Sequence, residues 1–137
     1  MTEFKNPAAT ADIIFEKDWK ILLVKRKYDP FKGMWAIPGG FIEYGKETLE
    51  QTAIREAKEE TGLDISELEL VGIYSSPNRD PRGHNISHVY LAKKYKGKVK
   101  AGDDSKEVAY FSFDDLPELA FDHEKILKDY FSWRNRK

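Results

Sequence analysis

The chain has 137 residues, of which 40% are hydrophobic and 34% charged, and a formal net charge of -1. Such a length is one domain's worth, residues 1–137, and is enough to bury a core. The near-neutral charge argues against nucleic-acid or anionic-membrane binding, which rests on basic patches. The absence of cysteine excludes disulfides, thiolate catalysis and cysteine zinc sites.

The first twelve residues hold no apolar signal-like core, and the aliphatic run at residues 21–24 is far too short to span a bilayer. A soluble, cytoplasmic protein is therefore expected. Residues 8–16 read as a strand, and residues 20–27 (KILLVKRK) as a second, joined by a polar turn at residues 16–18. "YDPFKGMWAIPGGF" carries two prolines and three glycines and reads as loop, with a short strand at residues 35–37.

A helix starts at Thr48, where Thr-x-x-Gln to Gln51 is a capping-box pattern. Leu49, Ala53 and Ala57, with Ile54 one step round, form the stripe expected to be buried, and Gly62 is the stop. Residues 67–75 and 86–93 read as strands flanking the turn-rich "SPNRDPRGHN". Residues 107–113 alternate as a last strand, and Asp103 and Asp104 before it read as turn residues. Residues 122–133 close with a helix whose inner face is Ile126, Leu127, Tyr130 and Phe131, capped through Asp122. The pattern indicates an α/β (α+β) fold, a sandwich of helices around a mixed β-sheet.

The central helix ends in "REAKEETGL", residues 55–63. Glu56 and Glu60 project together at the margin of the buried stripe, Glu59 lies farther round, and Arg55 reaches Glu59 at i,i+4. A solvated acidic face is the plain alternative. Against it, the helix dipole disfavours acids in the last turn, and a Gly-rich loop leads into this helix. A divalent cation removes both objections, and magnesium takes hard oxygen ligands while keeping several waters.

"GGFIEYGKETLEQTAIREAKEETGL", residues 39–63, resembles the signature of the Nudix hydrolases. That pattern is Gly, five residues, Glu, seven residues, then Arg-Glu-aliphatic-x-Glu-Glu-x-Gly-aliphatic. Glu47, Arg55, Glu56, Ala57, Glu59, Glu60, Gly62 and Leu63 all match. One departure stands out: Gly40 and Glu47 enclose six residues, the extra one near Gly45 and Lys46, which bears on the contact between Glu47 and the arginine.

The resemblance implies a Nudix-type α/β/α sandwich and a magnesium-dependent hydrolase of nucleoside diphosphates, with manganese (Mn2+) able to replace Mg2+. It implies Glu56 and Glu60 as main metal ligands, Glu59 direct or through water, the Gly39 carbonyl as a further oxygen, and Arg55 as the group that orients the glutamates. A helix glutamate or Glu107 would be the base; a plain strand-edge charge is the other reading of Glu107. "FKGMWAIPGGF", "SSPNRDPRGHNIS" and "ELAFDHEKIL" resemble the ADP-ribose pyrophosphatase branch, implying cleavage of ADP-ribose to AMP and ribose 5-phosphate. Arg79 and Arg82 can fork onto phosphate oxygens, and His84 is a further donor.

Trp35 and Phe31 are read as core before base-stacking residues. Rival activities are dinucleoside polyphosphate hydrolysis and (d)NTP pyrophosphohydrolysis; the rival of another class is a non-catalytic ADP-ribose sensor. The expected partner is a small nucleotide diphosphate, with neither nucleic acid nor membrane. A homodimer using Phe4 and Trp133 is compatible with the sequence, as is a place for them in the core.

Overall fold

The computed structural model describes residues 5–101 and 105–136. Phe4, Asp103 and Asp104 lie outside the described residues. The elements in order are β1 (Ala8–Ile14), β2 (Glu16–Lys17), β3 (Lys20–Arg26), β4 (Trp35–Ala36), β5 (Gly39–Phe41), α1 (Leu49–Thr61), β6 (Asp64–Tyr74), β7 (Asn85–Lys96), β8 (Ser105–Ser112) and α2 (His123–Asn135). One sheet runs β5-β1-β7-β6 and is mixed, because β1 and β7 are parallel while the other pairs are antiparallel. In the second sheet β3 pairs with β2, β4 and β8, all antiparallel.

The strand period of two sorts the core into two layers. Ala11, Ile13 and Leu22 join Ala53 and Ala57 of α1 in one cluster. Ile14, Ile21 and Leu23 join Ile126, Leu127 and Tyr130 of α2 in the other. Strands β1 and β3 are thus apolar on both faces, as strands covered from two sides must be. The result is an α/β/α sandwich around a mixed sheet. No helix among the described residues is long and apolar enough to cross a membrane.

Two expectations shift. The turn at residues 16–18 is a tight hairpin: Glu16 and Lys17 already pair with β3, and Asp18 and Trp19 take φ of 51° and 66°, the positive values that two-residue hairpin turns need. Ile54 is 42% exposed. The buried face of α1 carries Thr52 instead, with Ala53, Ala57 and Thr61. Thr52 can be buried because its hydroxyl donates to Glu47 Oε1 at 2.9 Å and the Thr48 carbonyl at 3.1 Å. Trp133 is partly buried and packs against the α2 cluster, its ring 5.8 Å from Tyr130.

Candidate active site

Helix α1 is fixed at both ends by its own sequence. Thr48 accepts from the Gln51 amide at 3.1 Å while the Gln51 side chain accepts from the Thr48 amide at 2.9 Å, and Gly62 closes the helix at φ 79°. Arg55 is the hub of the acidic face. It binds Glu47 with two bonds, Nε to Oε2 at 2.7 Å and Nη2 to Oε1 at 3.0 Å. It also holds Glu56 at 2.7 Å, Glu59 at 3.3 Å and the Phe41 carbonyl at 3.1 Å.

The Glu47 contact therefore survives the extra residue. The loop absorbs it in a turn in which the amides of Lys46 and Glu47 donate to the Glu43 carbonyl and Gly45 takes φ 75°. The Arg55 hydrogen bond holds the Glu47 carboxyl down at about 2.

Glu56 and Glu60 lie on the inner edge of the helix beneath β5. Burial, reinforced by neighbouring carboxylates, pushes both above the ordinary carboxylate range, Glu56 beside Glu59 and Glu60 beside Glu56. Glu60 accepts from the Gly39 amide at 3.3 Å. A Cβ on Gly40 would lie 1.7 Å from Glu56 Oε2. Glycine is thus needed there for close approach of backbone and carboxylate.

Among the described residues no group of three His, Asp or Glu side chains is arranged to hold a metal as it stands. Two carboxylates that converge against backbone glycines nevertheless fit a divalent cation that takes hard oxygen donors and keeps waters for its remaining positions. Glu59 is turned to Arg55 and is 51% exposed, which suits contact through water better than direct ligation.

The glutamates open onto a cleft with two lobes that share a wall of Arg26, Ala36, Gly39, Gly40, Phe41 and Arg82. The outer lobe, ≈ 240 Å³, contains Glu56 and Glu60 with Lys25, Lys27 and Tyr28. The inner lobe, ≈ 60 Å³, is lined by Thr10, Asp12, Arg79, Asn85, Phe121 and His123 among others. On the shared wall, Arg82 lies 5.1 Å over the Phe41 ring and 5.4 Å over Phe121, and Arg26 lies 4.9 Å over Phe121. Burial, then the Arg82 charge, lowers the Arg26 pKa.

Not every residue singled out in the sequence faces this cleft as expected. Arg79 lines the inner lobe but is 5% exposed and bound through two nitrogens to Asp122, at 3.0 and 2.7 Å, and to Asn85. Asp122 spends its carboxylate on that pair and makes no side-chain cap for α2. Arg82 forks onto Asp80 at 2.7 Å.

His84 is exposed, its Nε2 3.0 Å from the Ser75 carbonyl, and lines neither lobe. Glu107 pairs across the sheet with Lys25, and the strand alternation puts it with Ala109 and Phe111. Val108 and Tyr110 face the α1 cluster, so Glu107 lies on the other side of the sheet from the glutamates. Phe31 and Trp35 pack on Phe121 and Phe111 at 4.8 and 4.7 Å.

The sequence alone singled out neither Asp12 nor Arg26, and Phe121 to His123 read as the cap of the last helix, through Asp122, before a place at the site edge. Asp12 is a buried acid within an apolar strand, and that misfit was the available signal. Ser87 donates a hydrogen bond to it, and burial raises its carboxyl to about 6. His123 accepts from the Ile37 amide through Nδ1 at 2.9 Å, and burial lowers its pKa to about 3.

The NUDIX domain family matches residues 5–130. A Methanocaldococcus jannaschii protein named ADP-ribose pyrophosphatase is 57% identical over 96% of this chain and 78% of its own length. An Acinetobacter baylyi protein named as an ADPR responsive transcriptional repressor is 34% identical, and the chain spans 58% of it. The NUDIX domain of Shewanella oneidensis NrtR, solved with ADP ribose, superposes with a TM-score of 0.84 at 29% identity, covering 94% of this chain and 89% of that one. By its signature, its sandwich and these relatives, the chain belongs to the NUDIX domain family.

Proposed function

We propose that this chain is a magnesium-dependent Nudix pyrophosphatase that cleaves ADP-ribose to AMP and ribose 5-phosphate. The cleft's paired like charges carry the reading: Glu56 and Glu60 crowd on one wall, and Arg26 and Arg82 flank Phe121 on the adjoining one. A diphosphate with a divalent cation offsets both at once. The relative named ADP-ribose pyrophosphatase and the neighbour solved with ADP ribose support that diphosphate. A Francisella tularensis neighbour solved with AMP and a manganese ion, 30% identical with a TM-score of 0.82 over 96% of this chain and 43% of that one, supports manganese as a substitute.

Glu56, Glu60 and the Gly39 carbonyl would hold the cation, with Glu59 acting through water. Bound there, it would neutralise diphosphate charge and lower the pKa of water. Arg55 keeps Glu56 oriented at 2.7 Å, and Arg26 and Arg82 bind the phosphate oxygens. A water adds to one phosphorus, the bridging oxygen leaves with the other phosphate, and the water's proton passes to a helix carboxylate. Glu59 is our choice: it is half exposed beside the buried pair, and its long 3.3 Å contact with Arg55 is the one it would exchange for the water.

The similarity to the repressor favours a second reading, in which ADP-ribose is bound without turnover. Chromatography of ADP-ribose incubated with the protein and Mg2+ separates them. AMP and ribose 5-phosphate in equal amounts support the hydrolase, and recovery of intact ADP-ribose overturns it.

A further inference from the structure

The inner lobe is built differently from the rest of the cleft. Two of its three guanidiniums are matched by acids, Arg79 by Asp122 and Arg82 by Asp80, while the third, Arg26, lies on the wall shared with the outer lobe and donates to the Pro30 carbonyl. Asp12 adds a buried carboxylate. Beyond that shared wall, a phosphate would meet the buried Asp12 and an Arg79 already engaged by Asp122. The lining instead combines donors and acceptors, which suits hydroxyl groups, since each hydroxyl both donates and accepts.

His123 is the fixed point of this lining. The Ile37 amide can only donate, so Nδ1 must accept, and the ring proton sits on Nε2. The ring is 4% exposed and lines the lobe, which gives it one permanent donor edge. At ≈ 60 Å³ the lobe has room for about four to six water-sized groups, which matches the hydroxyl edge of a pentose.

We infer that the inner lobe is the subsite for the terminal ribose of the substrate, with His123 Nε2–H donating to a ribose hydroxyl and Asp12 accepting from one. His123 is thus a specificity-determining residue, selecting diphosphates that end in an uncharged sugar. The inference rests on the ADP-ribose reading but is tested by binding rather than turnover.

The test uses two substitutions that split the ring's two roles. His123→Asn keeps an oxygen near the Nδ1 position for the Ile37 amide and removes the Nε2 donor. His123→Gln keeps a donor near Nε2 and removes the acceptor. Affinities for the hydrolysis-resistant α,β-methylene analogues of ADP-ribose and ADP would be measured by calorimetry with Mg2+, alongside melting temperatures.

In the wild type the ADP-ribose analogue should bind about tenfold more tightly than the ADP analogue, one good hydrogen bond's worth. His123→Asn should bring the two within about threefold, leave ADP affinity unchanged and melt near the wild type. His123→Gln should melt lower yet keep the preference. A preference retained in His123→Asn, or equal weakening of both ligands, overturns the subsite. Absence of turnover with an intact binding pattern overturns only the hydrolase reading.

Discussion

Gly40→Ala isolates the positioning of one carboxylate from the folding of the chain. A Cβ at Gly40 would fall 1.7 Å from Glu56 Oε2 and 2.4 Å from its Cδ. Ordinary contact begins near 3.4 Å, so the carboxylate must retreat by about 1.7 Å. Gly40 does not have positive φ, and alanine therefore adds no backbone strain of its own. The displaced group is the far end of a flexible side chain, so the fold should survive. A misplacement of about 1 Å at a reacting centre costs about a hundredfold in rate, which is about 2.7 kcal/mol of barrier. Steady-state kinetics on ADP-ribose should show kcat down by at least that factor, with a melting temperature close to wild type. A variant that keeps more than a third of wild-type kcat would refute the role given to Glu56.

Glu60→Gln should lose turnover and stay folded, and saturating Mg2+ should raise the melting temperature of the wild type more than that of the variant. At a hundredfold excess over Kd the wild-type gain is about 2.7 kcal/mol; equal shifts would count against Glu60 as a ligand. Arg79→Met should act on stability before catalysis. It leaves the Asp122 carboxylate and Asn85 without their partner in a nearly closed site, a loss of about 3–5 kcal/mol, readable in urea unfolding; an unchanged midpoint would contradict the structural role.

Glu16 ties β2 to α2 through Arg134 and Tyr130 at 2.7 Å each. Burial alone would raise its carboxyl, but the Arg134 and Tyr130 hydrogen bonds outweigh this and hold it below 4.5. A depressed carboxylate stabilises the fold above its unfolded pKa and loses that contribution as pH falls through the folded one. Urea midpoints from pH 6 to pH 3 should therefore drop more steeply in the wild type than in Glu16→Gln; parallel curves would remove Glu16 from the account.

What the sequence made legible was local. The convergence of Glu56 and Glu60, the caps at Thr48 and Gly62 and the reach of Arg55 to Glu59 follow from 3.6 residues per turn. The Glu47 contact, which the extra loop residue had put in question, holds because Glu47 and Arg55 keep their spacing whatever the loop before them does. The less legible features depend on partners far along the chain. Arg79 looked like a phosphate ligand until the fold brought Asp122 beside it, 43 residues away. His123 looked like part of a cap until the Ile37 amide, 86 residues away, claimed its Nδ1. The face taken by Glu107 depends on its register with β3. Asp12 was visible as an acid in an apolar strand, but its meaning required the glycines of β5 to be paired against it.

The central claim is that ADP-ribose is the favoured substrate of this cleft. Its most direct test is kcat/KM with Mg2+ for ADP-ribose, diadenosine tetraphosphate and the four dNTPs, measured under one set of conditions. The account predicts that ADP-ribose exceeds every other compound by at least tenfold. A dinucleoside polyphosphate or a dNTP cleaved as well as or better than ADP-ribose would contradict it.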